Sequence, residues 1–213
     1  MNRTLARTTS IFGTVLGLAG FNHGLFEVLQ GNKPVEGVFI PAIGPSMQMW
    51  EHGSEGAFTL LPTYLSAGIA TMLVSLIAIF WSIRCIHLRR GPLVFLLLFI
   101  LLFLTGGGIG HVIIFTITWA FATRIHRPLP LWKKILPPAV RPVTAGLWPW
   151  ITGLSVLLYL LALWIAVTGK VPGVMEDGQA LIVMLVSILS ALVLMVLSNI
   201  AAIARDLEPA PVG

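Results

Sequence analysis

Charged residues are scarce in this sequence: Asp, Glu, Lys and Arg make up only 10% of its 213 residues. A soluble domain carries roughly a quarter. Hydrophobic residues account for 57% and the mean hydropathy is +0.95. We therefore predict an integral, multi-pass protein of the cell (plasma) membrane, surrounded by the lipid bilayer. No segment outside the membrane is large enough to form a basic face, which excludes a nucleic-acid partner.

Cysteine and the signature motifs of common enzymes are also lacking. Cys85 is the single cysteine, so an internal disulfide is excluded. The glycine-rich stretch "TGGGIG" at 105–110 is not followed by GK[ST], which excludes a phosphate-binding loop. The sequence contains neither HExxH nor a serine in a GxSxG turn. These absences favour a non-enzymatic role.

Long apolar segments define the expected architecture. Four segments have the roughly 20 residues that a membrane-spanning helix requires: Thr8 to Gln30, Phe58 to Ile83, Trp148 to Val167 and Gln179 to Ala202. A fifth apolar segment, Pro92 to Thr123, would form a helix about 48 Å long, whereas the hydrocarbon core of a bilayer is about 30 Å thick. The glycines lie near its centre, so the segment either crosses once or turns back there.

The distribution of basic residues distinguishes these two topologies. If the chain turns at the glycines, eleven of the 13 Lys and Arg residues lie on the N-terminal side, and only Lys33 and Lys170 lie opposite. A single crossing would divide them almost evenly, against the positive-inside rule. We therefore predict one all-α integral membrane domain, 1–213, with both termini cytoplasmic. It has four full transmembrane helices plus a glycine-turned helical hairpin, about six membrane segments in total.

Small residues in the first helix predict a packing surface. Gly13, Gly17, Gly20 and Gly24 recur every three or four residues, which allows close approach of a helix from the same chain or from a partner subunit. The N-terminal arginines and apolar run also resemble a signal peptide. Because the run continues into "FNHGLFEVLQ" at 21–30, we expect this helix to be retained.

Two loops have unusual compositions. Residues 31–57 are apolar and contain three prolines, so we expect them to cover the outer mouth of the bundle, either as a lid or as an interfacial plug. Residues 124–146 form a basic cytoplasmic loop that includes "RIHRPLPLWKKILPPAVRP". The region from Arg124 to Arg141 is expected to bind anionic lipids, or to dock a cytoplasmic partner.

Ionisable residues cluster at one predicted depth, near the outer surface. His23 and Glu27 are four residues apart on the first helix, so they share a face and are expected to pair. Ionisable groups within a membrane helix are costly and often mark a path for a ligand or ion. His111, directly after the hairpin turn, could join them, or could hydrogen-bond a carbonyl left free by the turn. The predicted ligand-binding residues are Asn22, His23, Glu27 and His111.

Imidazoles and carboxylates at similar depth also predict a divalent metal ion as a cofactor. The candidate metal ligands are His23, Glu27, Glu51, His52, Glu55 and His111. We expect the protein to bind or transport a small solute or ion at an outward-facing polar pocket. Two alternatives are a membrane-embedded, metal-dependent enzyme and a structural subunit of a larger membrane complex.

Overall fold

The computed structural model of the protein describes residues 1–174 and 176–208. Within these residues the chain forms seven α-helices, one 3-10 turn and three short strands. The α-helices are α1 Arg3–Leu29, α2 Tyr64–Arg84, α3 Gly91–Thr105, α4 His111–Ala122, α5 Pro130–Ile135, α6 Arg141–Thr168 and α7 Asp177–Leu207. The strands are β1 Phe39–Pro41, β2 Gly56–Thr59 and β3 Gly106–Gly108, and the 3-10 turn is Pro45–Met47.

Four helices, α1, α2, α6 and α7, are long and apolar enough to cross a membrane, which confirms the four predicted long segments. The predicted start of the second segment, at Phe58, is wrong. Phe58 lies in β2, and α2 begins six residues later because Thr63 caps it. The Thr63 hydroxyl accepts a hydrogen bond from the Ser66 amide at 3.2 Å, and the Ser66 hydroxyl accepts one from the Thr63 amide.

A small antiparallel sheet corrects the prediction of a purely helical fold. Its strand order is β1-β2-β3, with Phe39 opposite Phe58 and Ala57 opposite Gly108. The segment 31–57, predicted to be a loop, supplies β1 and the first residues of β2. The glycine run supplies β3, which is completely buried. Residues without side chains allow this strand to fit between the helices and β2.

The glycine segment turns the chain, as the sequence predicts. Helix α3 ends immediately before β3, and α4 begins shortly after it. The rings of Phe99 and Phe115, one from each helix, stack with centroids 5.9 Å apart, so the two helices run back past one another. Gly106 has a φ of +146°, a conformation that residues with side chains rarely adopt.

The glycine face of α1 packs within the chain, one of the two predicted alternatives. A Cβ on Gly13 would lie 2.7 Å from the Phe95 ring of α3, and one on Gly24 would lie 2.7 Å from the Gly68 carbonyl of α2. The remaining glycines of this face also contact α2 and α3. This close approach brings α1, with its polar residues, against the sheet end of the bundle.

At the opposite end of the bundle, the end of α7 contacts the start of α1. Asp206, near the end of α7, accepts hydrogen bonds from the backbone amides of Thr4 and Leu5 at 2.8 and 2.9 Å. A carboxylate at these free amides also matches the positive end of the α1 dipole. The Trp148 indole of α6 donates to the Thr8 hydroxyl at 2.8 Å. The start of α1 and the end of α7 therefore lie on the same side of the molecule.

Candidate metal centre

Three ionisable side chains from three separate parts of the chain converge at the sheet end of the bundle. His23 comes from α1, Glu55 immediately precedes β2, and His111 is the first residue of α4. One nitrogen or oxygen atom of each lies within 4.8 Å of the other two. We call these three residues the His–Glu–His cluster. Both imidazoles are buried, at 5% and 6% exposure, whereas the Glu55 side chain is 41% exposed.

Strand β3 allows the two imidazoles to approach each other. Their ring centroids are 5.1 Å apart in an edge-to-face arrangement. Gly108 lies directly beside both rings: a Cβ at this position would be 2.6 Å from His23 Nε2 and 2.7 Å from His111 Nδ1. Any side chain here would therefore displace at least one imidazole, so the glycine is a steric requirement of the cluster.

Hydrogen bonds satisfy only part of the cluster. His23 Nε2 bonds Glu55 Oε2 at 3.1 Å, and His111 Nδ1 donates to the Gly108 carbonyl oxygen at 3.3 Å. The latter bond confirms the predicted contact of His111 with a carbonyl of the turn. Among the described residues, His23 Nδ1 and His111 Nε2 are buried without any partner. Buried polar atoms without a partner are rare, so the free Nε2 of His111 is a candidate for binding a ligand.

The cluster also keeps Glu55 ionised. Partial burial raises the pKa of this carboxyl, but the hydrogen bond from His23 and the electrostatic attraction of the two histidines outweigh that effect and lower the pKa to about 2. A carboxylate that remains charged is an acceptor for cations and a hard oxygen ligand for metals. The site therefore offers one negative charge between two imidazoles.

One separation in the cluster suits a four-coordinate ion. Ligand bonds of about 2.0–2.1 Å at tetrahedral angles place neighbouring ligand atoms roughly 3.4 Å apart. The 3.1 Å between His23 and Glu55 is close to that spacing. The bond from His111 Nδ1 to a backbone carbonyl leaves Nε2 free to ligate, which is the usual arrangement of a metal-bound histidine. Separations within the set reach up to 4.8 Å, about 1.4 Å more than that spacing, so the ligands would have to draw together around an ion.

A cavity of about 360 Å³ adjoins the cluster. Glu55 and His111 form part of its polar end, and most of its wall is apolar. It is lined by His52, Ser54, Glu55, Gly110, His111, Ile113, Ile114, Tyr159, Ala162, Leu163, Ala166, Met184, Ile188 and Leu192. Three ligands with an open side facing a cavity is the pattern of a catalytic metal site, whereas a structural site is closed by four protein ligands.

Glu27 is not part of the cluster, and its predicted pairing with His23 is wrong. His23 bonds Glu55 instead, and neither carboxylate oxygen of Glu27 has a hydrogen-bond partner among the described residues. Glu27 is fully buried, at 0% exposure, beside Gly106 and the Thr71 hydroxyl. The four-residue spacing correctly predicted that both side chains lie on one buried face of α1. They have different neighbours across that face, so they do not pair.

The other predicted residues lie around the cluster. Asn22 lines a small cavity of about 30 Å³ together with His23 and Glu55. His52 lines the larger cavity, and its ring packs edge-to-face on Trp50 at 5.3 Å. Glu51 is exposed and does not join the cluster.

Tyr159 is a residue of the site that sequence reasoning missed. It lies in the apolar run of α6, is buried, and lines the large cavity. The chain contains only two tyrosines. The sequence did offer a signal for this residue: Tyr159 is the single tyrosine in the apolar run of α6, and a buried hydroxyl usually requires a polar partner.

Comparisons with protein-family models, with curated proteins and with solved structures give no match for this chain. Its function is therefore argued from the geometry of the site alone.

Proposed function

We propose that this protein is a membrane-embedded metalloenzyme, in which the His–Glu–His cluster holds a divalent transition-metal ion, zinc in the first instance. The observation that carries the proposal is the convergence of His23, Glu55 and His111 within 4.8 Å beside an open cavity. Two histidines and a glutamate are an established ligand set of hydrolytic zinc sites. The same set also suits iron, so the metal content is the first quantity to measure.

The shape of the cavity favours an enzyme over a transporter. Beyond Tyr159 and Leu192 the space contracts to a void of about 10 Å³ among core side chains such as Phe12 and Leu16. A void needs roughly 10–15 Å³ to hold even one water molecule. In the described part of the chain these side chains therefore leave no water-filled path from the large cavity towards the core. Such a cavity suits a substrate that enters and leaves by the same opening.

The chemistry that the site would support is hydrolysis. An ion held by His23, Glu55 and His111 would supply Lewis-acid chemistry: it would lower the pKa of a coordinated water towards 7 and polarise a carbonyl group. His52 lines the cavity and could take a proton from that water and return it to the leaving group. The Tyr159 hydroxyl could donate a hydrogen bond to the developing oxyanion. Water is the only co-substrate that this scheme requires.

Metal analysis of the purified protein tests the proposal. We expect about one zinc ion per chain after expression in zinc-supplemented medium. His111→Ala and Glu55→Ala should both lose the ion, because each removes one of only three protein ligands. Glu51→Ala is the matched control: Glu51 is exposed and lies outside the cluster, so this variant should retain the ion.

Two results would contradict the proposal. One is wild-type protein that contains no transition metal in stoichiometric amount. The other is equal metal content in Glu55→Ala and Glu51→Ala. Stoichiometric iron in place of zinc would keep the site but change the reaction class to oxidation.

Transport of an ion remains the second candidate, and one observation favours it. Glu27 is a second buried carboxylate, one helical turn from His23, with no hydrogen-bond partner among the described residues. Such a residue could pass a cation onward. Proteoliposomes containing a zinc-sensitive dye distinguish the candidates, because a transporter fills them with zinc and an enzyme does not. The structural-subunit alternative loses its support, because the glycine face of α1 is occupied by α2 and α3.

The proposed membrane topology places the cluster on the outer side and both termini in the cytoplasm. The contact of Asp206 with the start of α1 supports termini on one side, and the basic residues favour the cytoplasm for that side. The short helix α5 carries Lys133 and Lys134, with exposed Leu131 and Ile135. This composition supports binding of the loop 124–146 to anionic lipids.

A further inference from the structure

The large cavity has a polar end and an apolar body, a division that points to a particular class of ligand. Its polar residues include Glu55 and His111 of the His–Glu–His cluster, together with His52. The remaining wall is formed by aliphatic side chains of α4, α6 and α7, together with the Tyr159 ring. A small hydrophilic solute would leave most of this wall in contact with water, which is unfavourable.

The cavity opens sideways between helices. Helices α6 and α7 pack on each other along their length, whereas α4 makes only slight contact with α7. The cavity lies in this gap, and its rim includes Ile113, which is 60% exposed. Nearby outward-facing residues of α7, such as Leu185 and Leu189, are also exposed and apolar, as expected of a lipid-facing surface. The opening therefore faces the hydrocarbon region of the proposed membrane.

The roof of the cavity is fixed in place. The Trp50 indole donates to the Ala166 carbonyl at 3.0 Å and packs on Gly169, which anchors the loop 42–55 to the end of α6. His52 and Ser54 of this loop line the cavity from above. His52 in this anchored loop is exposed, so the polar end faces the aqueous side, while the gap beside α4 gives the apolar end access to lipid.

We propose that the substrate is a membrane amphiphile that enters through the gap between α4 and the α6–α7 pair. Its acyl chain lies against Leu163, Ile188 and Leu192, and its ester or amide carbonyl reaches the metal at His111. The volume of about 360 Å³ accommodates on the order of ten chain carbons. This inference rests on the proposed metal site, and it adds the class of substrate and its route.

The test uses two hydroxamates as probes, because a hydroxamate binds a metal ion whatever chain it carries. Full-length protein is loaded with Co²⁺, whose visible absorption reports directly on ligands bound at the ion. Acetohydroxamate tests the metal site alone, and dodecanohydroxamate tests the metal site and the cavity together. We expect dodecanohydroxamate to bind at least tenfold more tightly, because its chain replaces water in the apolar cavity.

Substitutions in α6 then distinguish binding in the cavity from binding at the metal ion. Leu163→Trp fills the cavity and should lose tenfold or more in affinity for dodecanohydroxamate, with acetohydroxamate affinity unchanged. Leu161→Trp is the matched control, because Leu161 lies on the same helix but is exposed and does not line the cavity. If Leu163→Trp alters the Co²⁺ spectrum without any probe, Ile188→Trp fills the cavity from the opposite wall.

Each outcome has a definite meaning. Two results would refute the amphiphilic substrate and leave the metal site supported. One is equal affinity of the wild type for the two hydroxamates, and the other is equal behaviour of Leu163→Trp and Leu161→Trp. A wild-type protein that shows no Co²⁺ spectrum different from that of His111→Ala would overturn the metal site, and the amphiphile with it. The two failures are thus distinguishable.

Discussion

Substitution of Gly108 by alanine is the sharpest test of the cluster. The added methyl group would lie 2.6 Å from His23 Nε2 and 2.7 Å from His111 Nδ1, whereas ordinary contacts begin near 3.4 Å. At least one imidazole must therefore move by roughly 0.8 Å, several times the tolerance of about 0.2 Å in a metal–ligand distance. We expect zinc affinity to fall by about 10- to 100-fold, which corresponds to about 1.4–2.8 kcal/mol.

The same substitution should also affect stability, and a control is needed to separate the two effects. Overpacking in a tight interior costs about 1–3 kcal/mol. Gly107→Ala provides the match: its methyl group would lie 2.8 Å from the Leu102 carbonyl oxygen and does not approach either imidazole. This control should lower thermal stability without lowering zinc affinity. Gly153→Ala, with no atom within 4 Å of the added methyl, should leave zinc affinity unchanged and should not lower thermal stability, because alanine favours a helix over glycine.

The assay is a competition titration of zinc against a chromophoric chelator, with thermal unfolding measured on the same samples. The reasoning is refuted if Gly108→Ala binds zinc as tightly as wild type while remaining folded. It is also refuted if Gly107→Ala loses as much zinc affinity as Gly108→Ala, because the loss would then reflect general damage to the glycine turn.

Three further predictions concern other parts of the chain. Glu27→Gln keeps the shape of a buried side chain that lies outside the His–Glu–His cluster, so the zinc content should stay at the wild-type level; loss of zinc would show that Glu27 belongs to the site. Asp206→Ala removes both hydrogen bonds to the start of α1 and should cost about 1–3 kcal/mol in unfolding free energy, with Asp206→Asn intermediate; identical unfolding curves would contradict this role. In a Cys85→Ser background, Lys134→Cys should resist an impermeant thiol reagent added outside intact cells, and labelling from outside would reject the proposed topology.

Segment length and charge distribution predicted the helical framework because both follow from the bilayer as a solvent. A helix that crosses about 30 Å of hydrocarbon needs about 20 apolar residues, and that requirement is visible in sequence without knowledge of packing. The turn at the glycines was predictable for a similar reason, since one helix of that length exceeds the bilayer. The sheet was not predicted because β1 and β2 are only three and four residues long, too short for a periodic pattern.

The sequence allowed the candidate ligands to be predicted as a group, but it did not predict their arrangement in space. His23, Glu55 and His111 were predicted to belong to one group because they lie at a similar depth in the membrane. Depth can be read from position along a spanning segment. The same reasoning included Glu51, which depth alone cannot separate from Glu55. Glu55 reaches the cluster because it directly precedes β2, whose pairing with β3 fixes its position beside His111. That pairing depends on tertiary contacts that sequence spacing does not encode.

The failed pairing of His23 with Glu27 has a geometric cause in the glycine strand. Four residues of α-helix rise about 6 Å, and two residues of a strand advance about 6.6 Å. Strand β3 runs against α1 with nearly this match: Gly108 lies beside His23, and Gly106 lies beside Glu27. Alternate residues of a strand share a face, so these two glycines meet α1 while Gly107 contacts α3 instead. The strand therefore gives each ionisable residue its own surroundings. Alanine at 106 should lower stability alone, whereas alanine at 108 should lower both stability and metal binding.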